Sequence, residues 1–163
     1  KGKRSGVHSR KIERRSRERW AAEEQLLPVV AGDGQVAYLS RTSFDAFSGL
    51  KKKVRSFPKG HEYYGIDLGL SGKRAGGRSA QDTAELEKRS KDPKSGVKKP
   101  AKKGHHTKHL GYNGLDINVG GSKDSPVYKF MIEFGPELGV YPESGYEFPH
   151  HFVAGGKKKK RKR

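Results

Sequence analysis

The apolar positions in the first part of the chain predict a helix followed by a short strand. In residues 9–27 a narrow apolar stripe recurs at roughly helical spacing up to Pro28, and proline is expected to stop the helix. The stripe consists of Ile12, Trp20 and Leu27. After a Gly-Asp-Gly turn, residues 36–39 are predicted to form a short strand.

A second helix is predicted from about residue 42. Thr42 or Ser43 can cap its N-terminus, and Phe57-Pro58 ends it. Its apolar residues fall at near-helical spacing and are Phe44, Phe47, Leu50 and Val54. Such a stripe is typical of a helix packed on a core, so this helix is expected to be buried on one side.

Alternation of apolar residues with glycine or polar residues predicts the remaining strands. Residues 64–70 and 115–119 carry an apolar residue at every second position, which is typical of a strand with one buried face. A further strand is expected around residues 147–153. These strands are predicted to form a small antiparallel sheet.

Two further helices are predicted from weaker patterns, at residues 79–89 and 128–134, and the second pattern also fits a strand. The stretch 90–103, which is rich in Lys, Pro and Gly, is expected to be a loop. Together the elements predict an α+β fold in which helices pack on the small antiparallel sheet.

The composition divides the chain into one folded domain and two basic tails. Only 31% of the 163 residues are hydrophobic and 33% are charged, so part of the chain is expected to stay outside the core. The first 19 residues hold nine Lys/Arg and two acids, and the last seven are all basic. We therefore predict a basic N-terminal helix or tail (1–29), a folded domain (30–155) and a disordered basic C-terminal tail (156–163).

The net charge of +18 indicates a polyanionic partner for the tails. Such runs bind teichoic acid, other phosphate-rich surfaces or nucleic acid. A non-enzymatic nucleic-acid-binding or virion structural protein is therefore the alternative function. The case for this alternative is weaker because residues 20–156 carry only +4 of the +18 net charge. A nucleic-acid-binding module spreads basic residues over its folded surface.

The sequence lacks features that several classes of protein and site require. It has no cysteine, so it has no disulfide, thiolate ligand or thiol nucleophile. No run of 18 apolar residues and no signal peptide are visible, so neither a transmembrane segment nor self-directed export is expected. A monomer is expected.

The histidines form two clusters that are far apart in the chain. His105, His106 and His109 precede Asp116, while His150 and His151 follow Glu147. Imidazole and carboxylate are good zinc ligands, and a catalytic zinc uses three of them beside an open position. A carboxylate near such a site can serve as general base.

These residues stand in an order that resembles a family of zinc peptidases, namely the D-alanyl-D-alanine carboxypeptidase and L-alanyl-D-glutamate endopeptidase group with its VanY-like enzymes and phage endolysins. The family shows a Ser-Gly-x-Arg segment, a Gln on a helix, a Gly-x-Ser-x-His segment with a later Asp, and an acid three residues before a His. The matching residues here are Ser71-Gly72-Lys73-Arg74, Gln81, Gly104 to His109 with Thr107 in place of Ser, Asp116, and Glu147 with His150. The resemblance covers about residues 30–154.

The resemblance implies a central zinc cleft with assigned roles. His109, Asp116 and His150 would bind Zn²⁺, with His151 as the alternative third ligand. Glu147 would be the catalytic base, and the substrate-binding residues would be Arg74, Gln81 and Thr107, with Arg78 as a rival to Arg74. A surface ion pair, for instance to Asp67 or Glu85, is the other interpretation of Arg74.

The same resemblance implies a metallopeptidase that hydrolyses peptidoglycan stem peptides. The protein would act at the cell wall, in the extracellular space or after delivery by a phage. The sequence leaves open which peptide bond is cut.

Overall fold

The structure is a computed structural model that describes residues 6–77, 80–97, 113–142 and 151–155. The described part contains four α-helices, α1 Gly6–Glu23, α2 Arg41–Arg55, α3 Ala80–Ser90 and α4 Pro126–Phe134. Its strands are β1 Leu27–Val30, β2 Val36–Leu39, β3 Gly114–Asp116, β4 Tyr141–Pro142 and β5 His151–Val153. The predicted α+β class is confirmed, with two small antiparallel sheets in the described part instead of one.

Helix α1 ends earlier than predicted. It stops at Glu23, and Pro28 lies inside strand β1. The stop is a left-handed turn at Gln25 (φ 56°), with the Leu26 N–H donating to the Ala21 carbonyl at 2.8 Å. This bond closes the last helical turn, so the helix ends before the proline is reached.

Helix α2 confirms the predicted core helix but has a different cap. The Ser40 hydroxyl accepts a hydrogen bond from the Ser43 N–H at 3.2 Å, so Ser40, and not Thr42 or Ser43, caps the helix by satisfying a free donor of its first turn. Ser43 itself is fully buried, together with the apolar face of the helix. The helices predicted at 79–89 and 128–134 are confirmed as α3 and α4.

The predicted strand at residues 64–70 is wrong for most of its length. Gly65 has a positive φ of 72°, and the N–H groups of Tyr64 and Ile66 donate to carbonyls three residues back. These turns use the donors that a strand would offer to a neighbour. Only Leu70 pairs in a sheet-like manner, through an isolated bridge to Ile117.

The two sheets contain the predicted strand at 36–39, parts of those predicted at 115–119 and 147–153, and two strands not foreseen, β1 and β4. β1 and β2 form an antiparallel pair. The second sheet has the order β3-β5-β4, with β5 in the centre. Residues 147–150 of the predicted last strand lie outside the described residues.

The main core lies between α2, α4 and the second sheet. Its fully buried large residues include Leu50, Phe130, Met131, Leu115 and Phe152. A smaller cluster of Ala21, Leu26 and Tyr38 joins the end of α1 to β2. Burial of apolar area is the main stabilising contribution here.

The division of the chain into 1–29, 30–155 and 156–163 stays a prediction. Strand β1 spans residues 29 and 30, and residues 1–5 and 156–163 lie outside the described part. No helix in the described ranges is long and apolar enough to cross a membrane.

Candidate functional site

Residues 71–75 form a short loop that lies against strand β3. The Ser71 N–H donates to the Asp116 carbonyl at 3.0 Å, and the Asp116 N–H donates to the Ala75 carbonyl at 2.8 Å. Two backbone hydrogen bonds therefore hold the loop that carries Arg74 beside the strand that carries Asp116. Two predicted site residues from different segments are thereby brought together.

The loop continues into a close contact with strand β2. The Gly77 N–H donates to the Tyr38 carbonyl at 2.7 Å, and a Cβ atom at Gly76 would overlap with that carbonyl and with the Leu39 side chain. Glycine at position 76 therefore permits an approach that a larger residue would prevent.

A polar cavity of about 360 Å³ is lined by both Arg74 and Asp116. Its other lining residues come from the turn before β2, the 71–75 loop and helix α3, and are Asp33, Gln35, Ser71, Gly72, Lys73, Ala75, Glu85 and Arg89. Acidic and basic side chains thus share one concave surface. Such a cavity suits a ligand that carries both a charged group and hydrogen-bonding groups.

Arg74 is mostly buried, with 20% of its side chain exposed, and it faces two carboxylates. Its Nη2 lies 3.3 Å from Glu85 Oε2, and its Nε lies 3.9 Å from Asp82 Oδ1. Among the described residues neither nitrogen has a hydrogen-bond partner. The predicted ion pair to Glu85 is therefore present, whereas Asp67 lines a different cavity.

Asp116 is half-buried at the end of β3, and its Cα partner in the adjacent strand β5 is His151. One predicted zinc ligand is therefore directly opposite the alternative third ligand in an antiparallel ladder. The two positions are 35 residues apart in the sequence, and only the sheet brings them together.

Most of the other predicted site residues lie outside the part of the chain that the structure describes. Thr107, His109, Glu147, His150 and the rival Arg78 lie outside the described residues. Gln81 is in the first turn of α3, as expected for a Gln on a helix, but its side chain is also outside the described part. Within the described ranges no group of three metal-ligating side chains is found.

Sequence reasoning missed Asp33, Gln35 and Arg89 in the cavity wall. Asp33 closes the turn before β2 by accepting from the Gln35 N–H at 3.0 Å, and the Gly32 N–H donates to the Leu70 carbonyl at 3.0 Å. The Gly-Asp-Gly turn was visible in the sequence, but its position beside the 71–75 loop depends on this long-range bond.

Comparisons with protein-family models, with curated proteins and with solved structures found no match for this chain.

Proposed function

We propose that the chain is a zinc metallopeptidase that hydrolyses peptidoglycan stem peptides, as a D-Ala-D-Ala carboxypeptidase or L-Ala-D-Glu endopeptidase of the endolysin type. The observation that carries the proposal is the ladder position of Asp116 opposite His151, at the edge of a cavity that also contains Arg74. A carboxylate and a guanidinium thus line one concave surface, and the backbone of a histidine lies opposite the residue that carries the carboxylate.

Of the proposed zinc ligands, Asp116 and His151 are related by the backbone pairing of the second sheet. In an antiparallel pair, directly opposite residues share one face with Cβ atoms about 4.5–5.5 Å apart, and the next residue along the strand takes the other face. The register therefore favours position 151 over position 150 beside Asp116. Asp116, His151 and His109 would hold the ion, which when bound supplies an electrophile that activates water and polarises the scissile carbonyl.

Other residues of the chain would transfer the proton and bind the substrate. The Glu147 carboxylate would take a proton from the attacking water and deliver it to the leaving nitrogen. Arg74 would bind a carboxylate of the substrate through a charge-assisted hydrogen bond. Gln81 and Thr107 would contact the peptide, and the basic tails would keep the protein near teichoic acid or other wall phosphates.

The proposal is tested by digestion of purified muropeptides, with mass spectrometry of the products. We expect stem-peptide cleavage that a chelator abolishes and added zinc restores, and about one zinc per chain in the purified protein. Asp116→Ala is expected to lose both zinc and cleavage. The matched control is Asp124→Ala, which removes an exposed carboxylate from the loop after β3.

Absence of cleavage by zinc-loaded protein would overturn the peptidase proposal. Tight, salt-sensitive binding to nucleic acid by the folded part in that case would favour the non-enzymatic alternative.

Glu85→Gln is expected to strengthen the binding of a substrate carboxylate by up to about fivefold, because a half-exposed ion pair contributes roughly 0.2–1 kcal/mol. Glu85 lies 3.3 Å from Arg74 and competes for the same guanidinium. The measurement is KM for a stem peptide with free carboxylates. Glu87→Gln on the same helix, outside the cavity wall, is the control, and a raised KM in Glu85→Gln would contradict the competition.

A further inference from the structure

Arg17 of helix α1 makes contacts unusual for a residue in a basic N-terminal segment. Only 12% of its side chain is exposed. Its Nη1 donates to the Val36 carbonyl at 3.0 Å, and its Nη2 donates to the Lys73 carbonyl at 2.8 Å. The guanidinium also lies over the Tyr38 ring, 5.3 Å from its centroid. Arg17 therefore connects α1 to strand β2 and to the residue that precedes Arg74.

Asp82 joins Arg17 to Arg74. It is 4% exposed, near the start of α3, and its two carboxylate oxygens face different arginines. Oδ2 lies 4.0 Å from Arg17 Nε, and Oδ1 lies 3.9 Å from Arg74 Nε. A buried carboxylate is costly unless cations offset its charge, so the two arginines and Asp82 form one electrostatic unit.

The neighbouring Lys73 gives helix α1 a second attachment to the same loop. Its Nζ lies 2.8 Å from Glu13 Oε1. That hydrogen bond holds the pKa of Glu13 below its usual value. The backbone carbonyl and the side chain of Lys73 are thus both bound by α1, while the other side of the loop is bound to Asp116. The loop that presents Arg74 is fixed from two directions.

Arg17 also contributes to the charge around Arg74. Without Arg17, Arg74 would face two carboxylates, Asp82 and Glu85, and the three groups would carry a net negative charge. Arg17 adds a positive charge beside Asp82 and so reduces the repulsion that this carboxylate exerts on an anionic ligand near Arg74. Removal of Arg17 is thus expected to weaken anion binding through both position and charge.

We propose that Arg17 is a positioning residue for substrate recognition, and that helix α1 belongs to the carboxylate-binding site through the chain of contacts from Arg17 through Asp82 to Arg74. The proposal rests on the proposed function in that Arg74 is taken to bind a carboxylate of the stem peptide. Arg17 itself does not line the cavity that contains Arg74.

The test measures carboxylate selectivity by isothermal titration calorimetry, in a Glu147→Gln background that keeps the peptide intact. The probes are two pairs of synthetic stem pentapeptides. One pair differs only in amidation of the C-terminal carboxylate, and the other only in amidation of the D-Glu α-carboxylate. In one of the two pairs, we expect protein with Arg17 intact to bind the peptide with the free carboxylate about tenfold more tightly than the amidated peptide. This is the usual effect of a hydrogen bond to a charged group.

Arg17→Ala is expected to reduce that preference to near unity, and Arg17→Ala with Arg74→Ala should lose no more than Arg74→Ala alone. Arg15→Ala, an exposed site on the same helix, should keep the full preference. Arg17→Gln removes the charge but keeps an amide donor. It replaces Arg17→Ala in the titration if thermal unfolding shows that the alanine variant is not folded. Full preference in folded Arg17→Ala or Arg17→Gln would overturn the proposal.

A lack of any carboxylate preference in the Arg17-intact protein would also overturn it. Failure of the peptidase function is a separate result, because it is seen as absent cleavage by the unmodified protein and does not depend on the binding ratio.

Discussion

Glu147→Gln is expected to leave about one zinc per chain and to lower stem-peptide hydrolysis by about a hundred- to ten-thousand-fold, the usual contribution of a positioned general base. Glutamine keeps the size of the side chain but cannot accept a proton at neutral pH. The metal ligands are unchanged, so metal content and turnover should separate. The measurement pairs metal analysis with the initial rate of peptide cleavage on the same protein sample.

Glu143→Gln is the matched control for this prediction, because it makes the same change four residues earlier in the same segment. It is expected to keep the full rate. Unchanged turnover in Glu147→Gln would remove this residue as the base, and loss of zinc together with activity would assign it a metal-binding role instead.

His151→Ala is expected to lose bound zinc, whereas His150→Ala should retain it. The reason is the register of the second sheet, in which position 151 is the Cα partner of Asp116. Directly opposite residues of an antiparallel pair share one face of the sheet, so we expect His151 to be the histidine beside Asp116. Zinc content after dialysis against buffer without metal is the measurement.

The two histidine variants serve as controls for each other, because each removes one imidazole from the same dipeptide. Activity should follow zinc, with His150→Ala active and His151→Ala inactive until excess metal is supplied. Retained zinc in His151→Ala with loss in His150→Ala would contradict the register argument and restore position 150 as the ligand.

Local patterns predicted those elements whose structure depends on local contacts. The near-helical spacing from Phe44 to Val54 identified α2, and Gly135-Pro136 marked the end of α4, although this helix begins at Pro126, two residues before the predicted start. The strand predicted from alternation at residues 64–70 is wrong for most of its length, because alternation of apolar residues with glycine also occurs in consecutive turns. A strand needs a partner strand, and within residues 64–70 only Leu70 forms a bridge.

The sequence indicated some residues of the cavity wall but not how they are brought together. The order of Arg74, Asp116 and the late histidines was visible in the sequence, and so was the ion pair to Glu85. The pairing of position 116 with 151 was not, since register between distant strands is set by the packed sheet. Asp82 was missed because a single acid in a weakly amphipathic helix gives no sign that two arginines will enclose it.

The strand order β3-β5-β4 has a consequence for how the protein assembles. In this sheet β3 and β4 do not pair with each other, and both depend on β5, which follows them in the chain. Pairing across a long stretch of sequence is slow because loop closure precedes any gain from contacts. During synthesis, then, β3 can bond to the earlier 71–75 loop but lacks its partner strand until residues 151–153 emerge. The second sheet would therefore be the last part of the fold to mature.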